Sequence, residues 1–244
     1  MFDHVTIRAS DRAASERFYV TVLEAIGIAR THADAELAEW DDFSIVEATS
    51  DSPSTRRLHI GFVAPSRAAV DAFHAAGVAA GYRDDGAPGP RPEYGPDYYG
   101  GFLLDPDGNS AEAVHNGDRP ARGNIDHLWI RVADLDAAVA FYDRIGPHAG
   151  LRRGRSAPGR QQFRLASGTS FSLVAADERT EHVHIAFGTD DDAHVHAFHG
   201  AATAAGYRDN GAPGERPQYH PGYYGAFVLD PDGNNVEVVN HHRP

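Results

Sequence analysis

Short runs of alternating apolar and polar residues recur along the chain, separated by stretches with helical spacing. In "DHVTIR", Val5 and Ile7 fall on one face while His4, Thr6 and Arg8 fall on the other, a period-two pattern that predicts a half-buried strand. Ser10 or Asp11 stands where a helix N-cap is expected, ahead of a helical run to about Leu23. "AELAEW" and "FSIVEA" read as strands, and "RLHIGFVA" as another. Ser66 then caps an Ala-rich helix, "RAAVDAFHAAG". A Gly- and Pro-rich stretch reads as loop. It leads to "GGFLL", the turn "DPDG" and "NSAEAV", which together read as a hairpin. The predicted order is strand, helix, strands, twice in the first half, and the second half repeats it. The fold class expected is α+β, with four such strand–helix–strands modules along the chain.

The repeat is explicit. At a shift of 125 residues, Gly81–His115 matches Gly206–Asn240 without a gap and with 24 of 35 positions identical. "FDHVTIRASDRAASERFY" corresponds to "IDHLWIRVADLDAAVAFY" at a shift of 123. Two copies of this length describe a tandem of domains rather than a solenoid. The polar, Gly/Pro-containing segment "NGDRPARGN" marks the joint. The expected boundaries are residues 1–117 for the first domain, 118–123 for the linker and 124–244 for the second.

Composition narrows the chemistry. The chain of 244 residues has a formal net charge of −13 and shows no basic face, which argues against nucleic acid and anionic membranes as partners. No apolar run approaches the ~18 residues of a membrane span, and no signal peptide is evident, so a cytoplasmic location is expected. There is no cysteine, which excludes thiol nucleophiles and thiolate metal sites. All 22 basic residues are arginine, which excludes Schiff-base chemistry on lysine. Any metal site must use His, Asp and Glu.

Such residues recur at matched places. His4 and His127 lie in the first strand of each half, His59 and His184 in the strand after the middle, and Glu112 and Glu237 in the last strand. The histidines of "DHVTIR" and "DHLWIR" point away from the apolar face. An unpaired carboxylate in an apolar strand is costly, and a metal ion would offset that cost. A lone strand histidine is ordinarily structural, and duplication copies structural residues too; it is the triple coincidence that points to ligation.

These stretches resemble the vicinal oxygen chelate superfamily, which includes glyoxalase I, extradiol dioxygenases and bleomycin-resistance proteins. The resemblance rests on "DHVTIRASDRAASERFY", "HIGF" and "FLLDPDGNSAE" with its repeat, and it covers essentially the whole chain. It implies βαβββ modules paired into cups, each around a divalent metal (Fe, Mn, Ni or Zn). The ligands it implies are His4, His59, Glu112, His127, His184 and Glu237. Two pairings stay open. A site could use both modules of one half. Alternatively, module one pairs with module four and module two with module three, giving His4, Glu47, His184, Glu237 and separately His59, Glu112, His127.

Glyoxalase-type sites take a further acid from the last strand of a module. Glu47 stands there in the first half, as ligand or proton shuttle, whereas Ala175 takes the place in the second. Extradiol dioxygenases carry a His and then a Tyr before the final Glu. His220 matches the first, but Phe227 replaces the second, and the first half has Gly95 and Phe102. Tyr99 and Tyr224, with their neighbours Tyr98 and Tyr223, are candidates to contact substrate. No nucleotide-type cofactor is expected. The function implied is a metal-dependent lyase, isomerase or dioxygenase acting on a small oxygenated organic molecule, with a non-catalytic ligand- or drug-binding protein as the alternative. A small molecule is the partner expected, with a homodimer left open.

Overall fold

The computed structural model describes residues 2–117 and 123–242, so the expected linker lies, Gly123 apart, outside the described residues. Four modules follow one another, each a strand, a helix and three strands. The first comprises β1 (His4–Ala9), α1 (Arg12–Glu24), β2 (His32–Ala33), β3 (Leu37–Trp40) and β4 (Phe43–Glu47). The second comprises β5 (His59–Val63), α2 (Arg67–Ala79), β6 (Arg83–Pro90), β7 (Tyr98–Leu104) and β8 (Ser110–Asn116). The third comprises β9 (Ile125–Val132), α3 (Leu135–Ala149), β10 (Arg152–Ala157), β11 (Arg160–Arg164) and β12 (Ser170–Ala175). The fourth comprises β13 (His184–Gly188), α4 (Asp192–Ala204), β14 (Asp209–Glu215), β15 (Tyr224–Leu229) and β16 (Asn235–Asn240).

Local chemistry sets the helix ends. Asp11, rather than Ser10, caps α1 by accepting from the Ala14 N–H at 2.9 Å. Ser66 caps α2 in the same way through Ala69, and Asp134 and Asp191 cap α3 and α4. Each helix buries one face against strands, as with Phe18, Tyr19, Val22 and Leu23 of α1. The segment read as loop after α2 is instead the strand β6. It pairs with β7 through two register shifts around Gly86, whose φ is 152°, a conformation open to glycine. Its exposed, polar sequence hides it from a period-two reading because it is an edge strand with few side chains to bury.

The chain divides into two compact bodies. One is Thr6–Trp129; the other is Met1–Val5 together with Ile130–Pro244. The strands β1 and β9 therefore each begin in one body and end in the other. In the Thr6–Trp129 body, the strand order β9-β5-β8-β7-β6 places β5 parallel to β8 and antiparallel to β9, while β2, β3, β4 and the end of β1 form a second strip. In the other body the order is β14-β15-β16-β13-β1, with β13 parallel to β16, and β10, β11 and β12 continue to the end of β9. Of the two pairings left open by the sequence, the strand bearing His127 lies against module two, and the strand bearing His4 lies against module four, where the Asp3 N–H donates to Ala186 O at 2.9 Å.

The repeated "DPDGN" turn fixes the register of these sheets. Asp105 Oδ1 accepts from the backbone N–H of Asp107 and Asn109 at 2.9 and 2.8 Å, closing the turn. Asn109 is fully buried. Its Oδ1 accepts from Leu58 N at 3.0 Å and its Nδ2 donates to Thr55 O at 3.1 Å, so the turn also pins the residue before His59. Asn234 does the same for Val183 and Thr180 in the other body. Because Asn109 serves several buried groups that would otherwise go unsatisfied, each at a cost of about 1–3 kcal/mol, Asn109→Ala is expected to lower unfolding stability by about 2–4 kcal/mol in urea denaturation.

Asp42 ties β9 to the first module by accepting from the Asn124 N–H at 2.9 Å and the Ile125 N–H at 3.2 Å. Burial raises its carboxyl from the ordinary 3.8 to about 6, and these hydrogen bonds only partly offset that rise. The folded chain then binds more protons at this site than the unfolded chain between those two values, so the contribution of Asp42 to stability falls as pH rises from about 4 to 6. Urea unfolding at pH 4, 5 and 6 should show the stability of the unaltered chain minus that of Asp42→Asn falling as pH rises; parallel curves would contradict this.

Candidate metal centres

Two clusters of donors form, one in each body. In the Thr6–Trp129 body, His59 from β5, Glu112 from β8 and His127 from β9 converge. Cross-strand register brings them together, since Gly61 is paired with both Glu112 and His127. His59 Nε2 lies 3.0 Å from Glu112 Oε2 and 3.2 Å from His127 Nε2, and His127 Nε2 lies 3.3 Å from the same carboxylate oxygen. In the other body, His184 Nε2 lies 3.0 Å from Glu237 Oε2 and 3.1 Å from His4 Nε2, and His4 Nε2 is 3.6 Å from Glu237 Oε2. The candidate donor atoms in each cluster all lie within 4.8 Å of one another.

Small residues make room for this convergence. A Cβ on Gly100 would strike Glu112 Oε1, and one on Gly225 would sit 2.6 Å from Glu237 Oε1. A Cβ on Gly61 would sit 2.5 Å from the His127 ring; at the corresponding place the second cluster has Ala186. The two clusters are thus related but not identical.

Each carboxylate is divided between two tasks. Oε2 faces the imidazoles, and Oε1 accepts from a buried tyrosine hydroxyl: Tyr98 at 2.7 Å for Glu112, Tyr223 at 2.6 Å for Glu237. The outer imidazole nitrogens also have partners. His127 Nδ1 meets Asp126 Oδ1 and His4 Nδ1 meets Asp3 Oδ1, both at 2.9 Å, while His59 Nδ1 meets Ser110 Oγ at 3.1 Å. A carboxylate on Nδ1 holds a proton on that nitrogen, so Nε2 is the nitrogen left to face a cation once its own proton is displaced.

Electrostatics follow from this crowding. Burial pushes the Glu112 carboxyl up, but hydrogen bonds and charge from His127 and His59 outweigh it and bring it down to about 2. Burial pushes His127 down, and Asp126 and Glu112 overcome it, taking the ring to about 10. For His59 burial wins and its pKa is lowered. Burial, with the adjacent carboxylate, raises the Tyr98 and Tyr223 hydroxyls far above the ordinary value, so both stay protonated donors.

Several residues singled out in the sequence lie elsewhere. Tyr99 and Tyr224 point to the opposite face of their strands: Tyr99 donates to Asp71 at 2.8 Å and Tyr224 pairs with His196 at 2.8 Å. The tyrosines at the clusters are their neighbours Tyr98 and Tyr223, because alternate side chains change face. Glu47 is not in either cluster. The 2.7 Å bond between Thr6 and Ser44 puts Ser44 and Val46 on the face of Thr6, so Glu47 falls on the helix side, exposed, accepting from the Arg12 N–H at 3.0 Å. His220 reaches the His4 cluster only indirectly: its Nε2 meets His241 Nδ1 at 2.8 Å, and His241 Nε2 meets Asp3 at 2.9 Å. Phe102 and Phe227 flank His59 and His184 with ring centroids 5.9 and 6.1 Å away. The repeated "DH" dipeptide carries the signal for Asp3 and Asp126, whereas His241, in what reads as a C-terminal tail, meets Asp3 only through the fold.

The chain belongs to the Glyoxalase/Bleomycin resistance protein/Dioxygenase superfamily, whose profile matches residues 1–113 and again 124–238. Among solved structures it is similar to glyoxalase I from Zea mays, with 18% identity over 98% of this chain and 92% of that one and a TM-score of 0.72. It is also similar to a putative dioxygenase from Bacillus subtilis subsp. subtilis str. 168, with 13% identity over 99% and 85% of the two chains and a TM-score of 0.67. At these identities the likeness is one of fold: α+β, with tandem domains of this superfamily. A search of curated proteins found no match. Among the described residues no helix is long and apolar enough to cross a membrane.

The inequality at Gly61 and Ala186 is testable. Gly61→Ala should press on the His127 ring and cost about 1–3 kcal/mol, whereas Ala186→Gly should cost about 1 kcal/mol or less; urea unfolding of the two variants compares them directly.

Proposed function

We propose that the protein is a metal-dependent enzyme of this superfamily that acts on a small oxygenated organic molecule, with a divalent cation held by His59, Glu112 and His127 and another by His4, His184 and Glu237. The observation that carries this reading is the convergence of two imidazole Nε2 atoms and one carboxylate oxygen at each cluster, with the outer nitrogens of His127 and His4 already occupied by carboxylates. The donor set fits a cation on chemical grounds. Three electron-pair donors crowd one point, and a two-histidine, one-carboxylate face leaves coordination positions open to substrate. The glutamate would ligate through Oε2 alone, because Oε1 is committed to its tyrosine.

A bound divalent ion supplies Lewis-acid polarisation of neighbouring substrate oxygens and, if it is iron, oxygen chemistry. The protein's own contribution is positional. Tyr98 and Tyr223 fix the carboxylates, Asp126 and Asp3 orient His127 and His4, and Phe102 and Phe227 exclude water beside His59 and His184. Sequestration of a ligand without turnover is the second reading. It is favoured by one feature: among the described residues no fourth acid joins either cluster.

Elemental analysis of protein purified without chelator or affinity tag is expected to show two divalent ions per chain, with His127→Ala retaining one. Iron would favour oxygenase chemistry, and nickel or zinc lyase or isomerase chemistry. No uptake after reconstitution with Fe(II), Mn(II), Ni(II) and Zn(II) would overturn the enzymatic reading and favour ligand sequestration.

A further inference from the structure

The two clusters share their donors but not their walls. In the Thr6–Trp129 body, Trp129 is paired across the sheet with His59 and lies on the same face of β9 as His127. Its ring centroid is 5.7 Å from that of His59. Tyr94 meets it edge-on at 5.6 Å with an interplanar angle of 87°, and Tyr94 in turn contacts Tyr98 at 5.1 Å. Phe102 stands on the other side of His59. A nearly continuous arc of rings, Phe102, His59, Trp129, Tyr94 and Tyr98, thus curves around one side of the donors. Trp129 and Tyr94 are both only half-buried, so the arc keeps an accessible portion.

In the other cluster the aligned positions carry the same rings, save one. Phe227, His184, Tyr219 and Tyr223 correspond one for one, but the residue aligned with Trp129 is Thr6. Tyr219 is 59% exposed, whereas Tyr94, in contact with Trp129, is half-buried. The two halves carry the same donors and differ in the residue beside them.

We propose that the two centres bind different ligands, and that the centre of His59, Glu112 and His127 selects chelating molecules bearing a flat aromatic group, which packs against Trp129 and Tyr94, while the centre of His4, His184 and Glu237 does not. Aromatic rings favour offset or edge-on contact with one another beyond the area they bury, and indole offers the largest such face in the chain. Ordinary apolar packing would explain a fully buried tryptophan, as with Trp40. It does not explain a half-exposed one placed on the donor face beside a ligating histidine. This inference rests on the metal-binding reading above.

Two hydroxamates share one chelating head, with two adjacent oxygens, and differ in the attached group: benzohydroxamate carries a phenyl ring and acetohydroxamate a methyl. Both would be titrated by calorimetry into the Zn(II)-loaded full chain carrying His4→Ala, which leaves one centre. The ratio of their affinities is the quantity read. It is expected to fall about three- to tenfold in Trp129→Thr, the range that aromatic pairing supplies, and to be largely kept in Trp129→Phe. In the complementary background, His127→Ala, the ratio should already be low. As a check independent of any change at Trp129, benzohydroxamate should alter tryptophan emission in the His4→Ala protein, because Trp40 is fully buried. An unchanged ratio in Trp129→Thr, or equal ratios at the two centres, would overturn the proposal while leaving the metal reading intact. Failure to load zinc, seen before any hydroxamate is added, would instead remove the metal reading and this inference with it.

Discussion

A buried carboxylate at the end of a hairpin is the constraint on which each body depends. Glu112 and Glu237 are almost completely shielded from water. A carboxylate there is tolerated only where donors surround it. Each finds a tyrosine hydroxyl on one oxygen and imidazoles on the other. Meeting that requirement needs three strands in fixed register, and the register is set by the aspartate and asparagine of the "DPDGN" turn. The turn closes the hairpin and also holds the residue before His59 or His184. The histidine and the glutamate of each cluster are therefore placed by one local device.

Around this shared frame the two halves have diverged where side chains meet the donors. Gly61 leaves room for the His127 ring; Ala186 does not offer the same space at the other cluster. Asp3 is held by His241 and, behind it, His220, whereas the positions aligned with those two histidines are Asn116 and Gly95. Trp129 faces one set of donors and its counterpart in sequence is threonine. The donor residues are the same in both clusters, and the side chains around them differ.

Much of this was legible in the chain. The period-two pattern placed His4 and His127 on the face opposite Val5 and Leu128, and the internal repeat picked out His59, His184, Glu112 and Glu237 by position. Strand parity separates neighbours that the chain offers together. In "YYG" the first tyrosine, not the second, shares the glutamate's face, and a shift of one residue sends a side chain to the other side of the sheet. Glu47 lies on the face of Phe43 and Ile45, opposite the face of Ser44, which meets Thr6. The strand β6 was missed because an edge strand with an exposed, Gly/Pro-rich sequence has no hydrophobic alternation to read.

The sequence by itself determined the modules, their order, the helix caps, the turn that closes each last hairpin and the types of donor available, because each of these depends on neighbours a few residues apart. Only the tertiary structure decided which modules meet. Strand pairing is made by backbone hydrogen bonds that are the same for every residue, so nothing in "DHLWI" names "LHIGF" as its neighbour. That choice joins His127 to His59, 68 residues earlier, and His4 to His184, 180 residues later. It turns six separately unremarkable side chains into two centres.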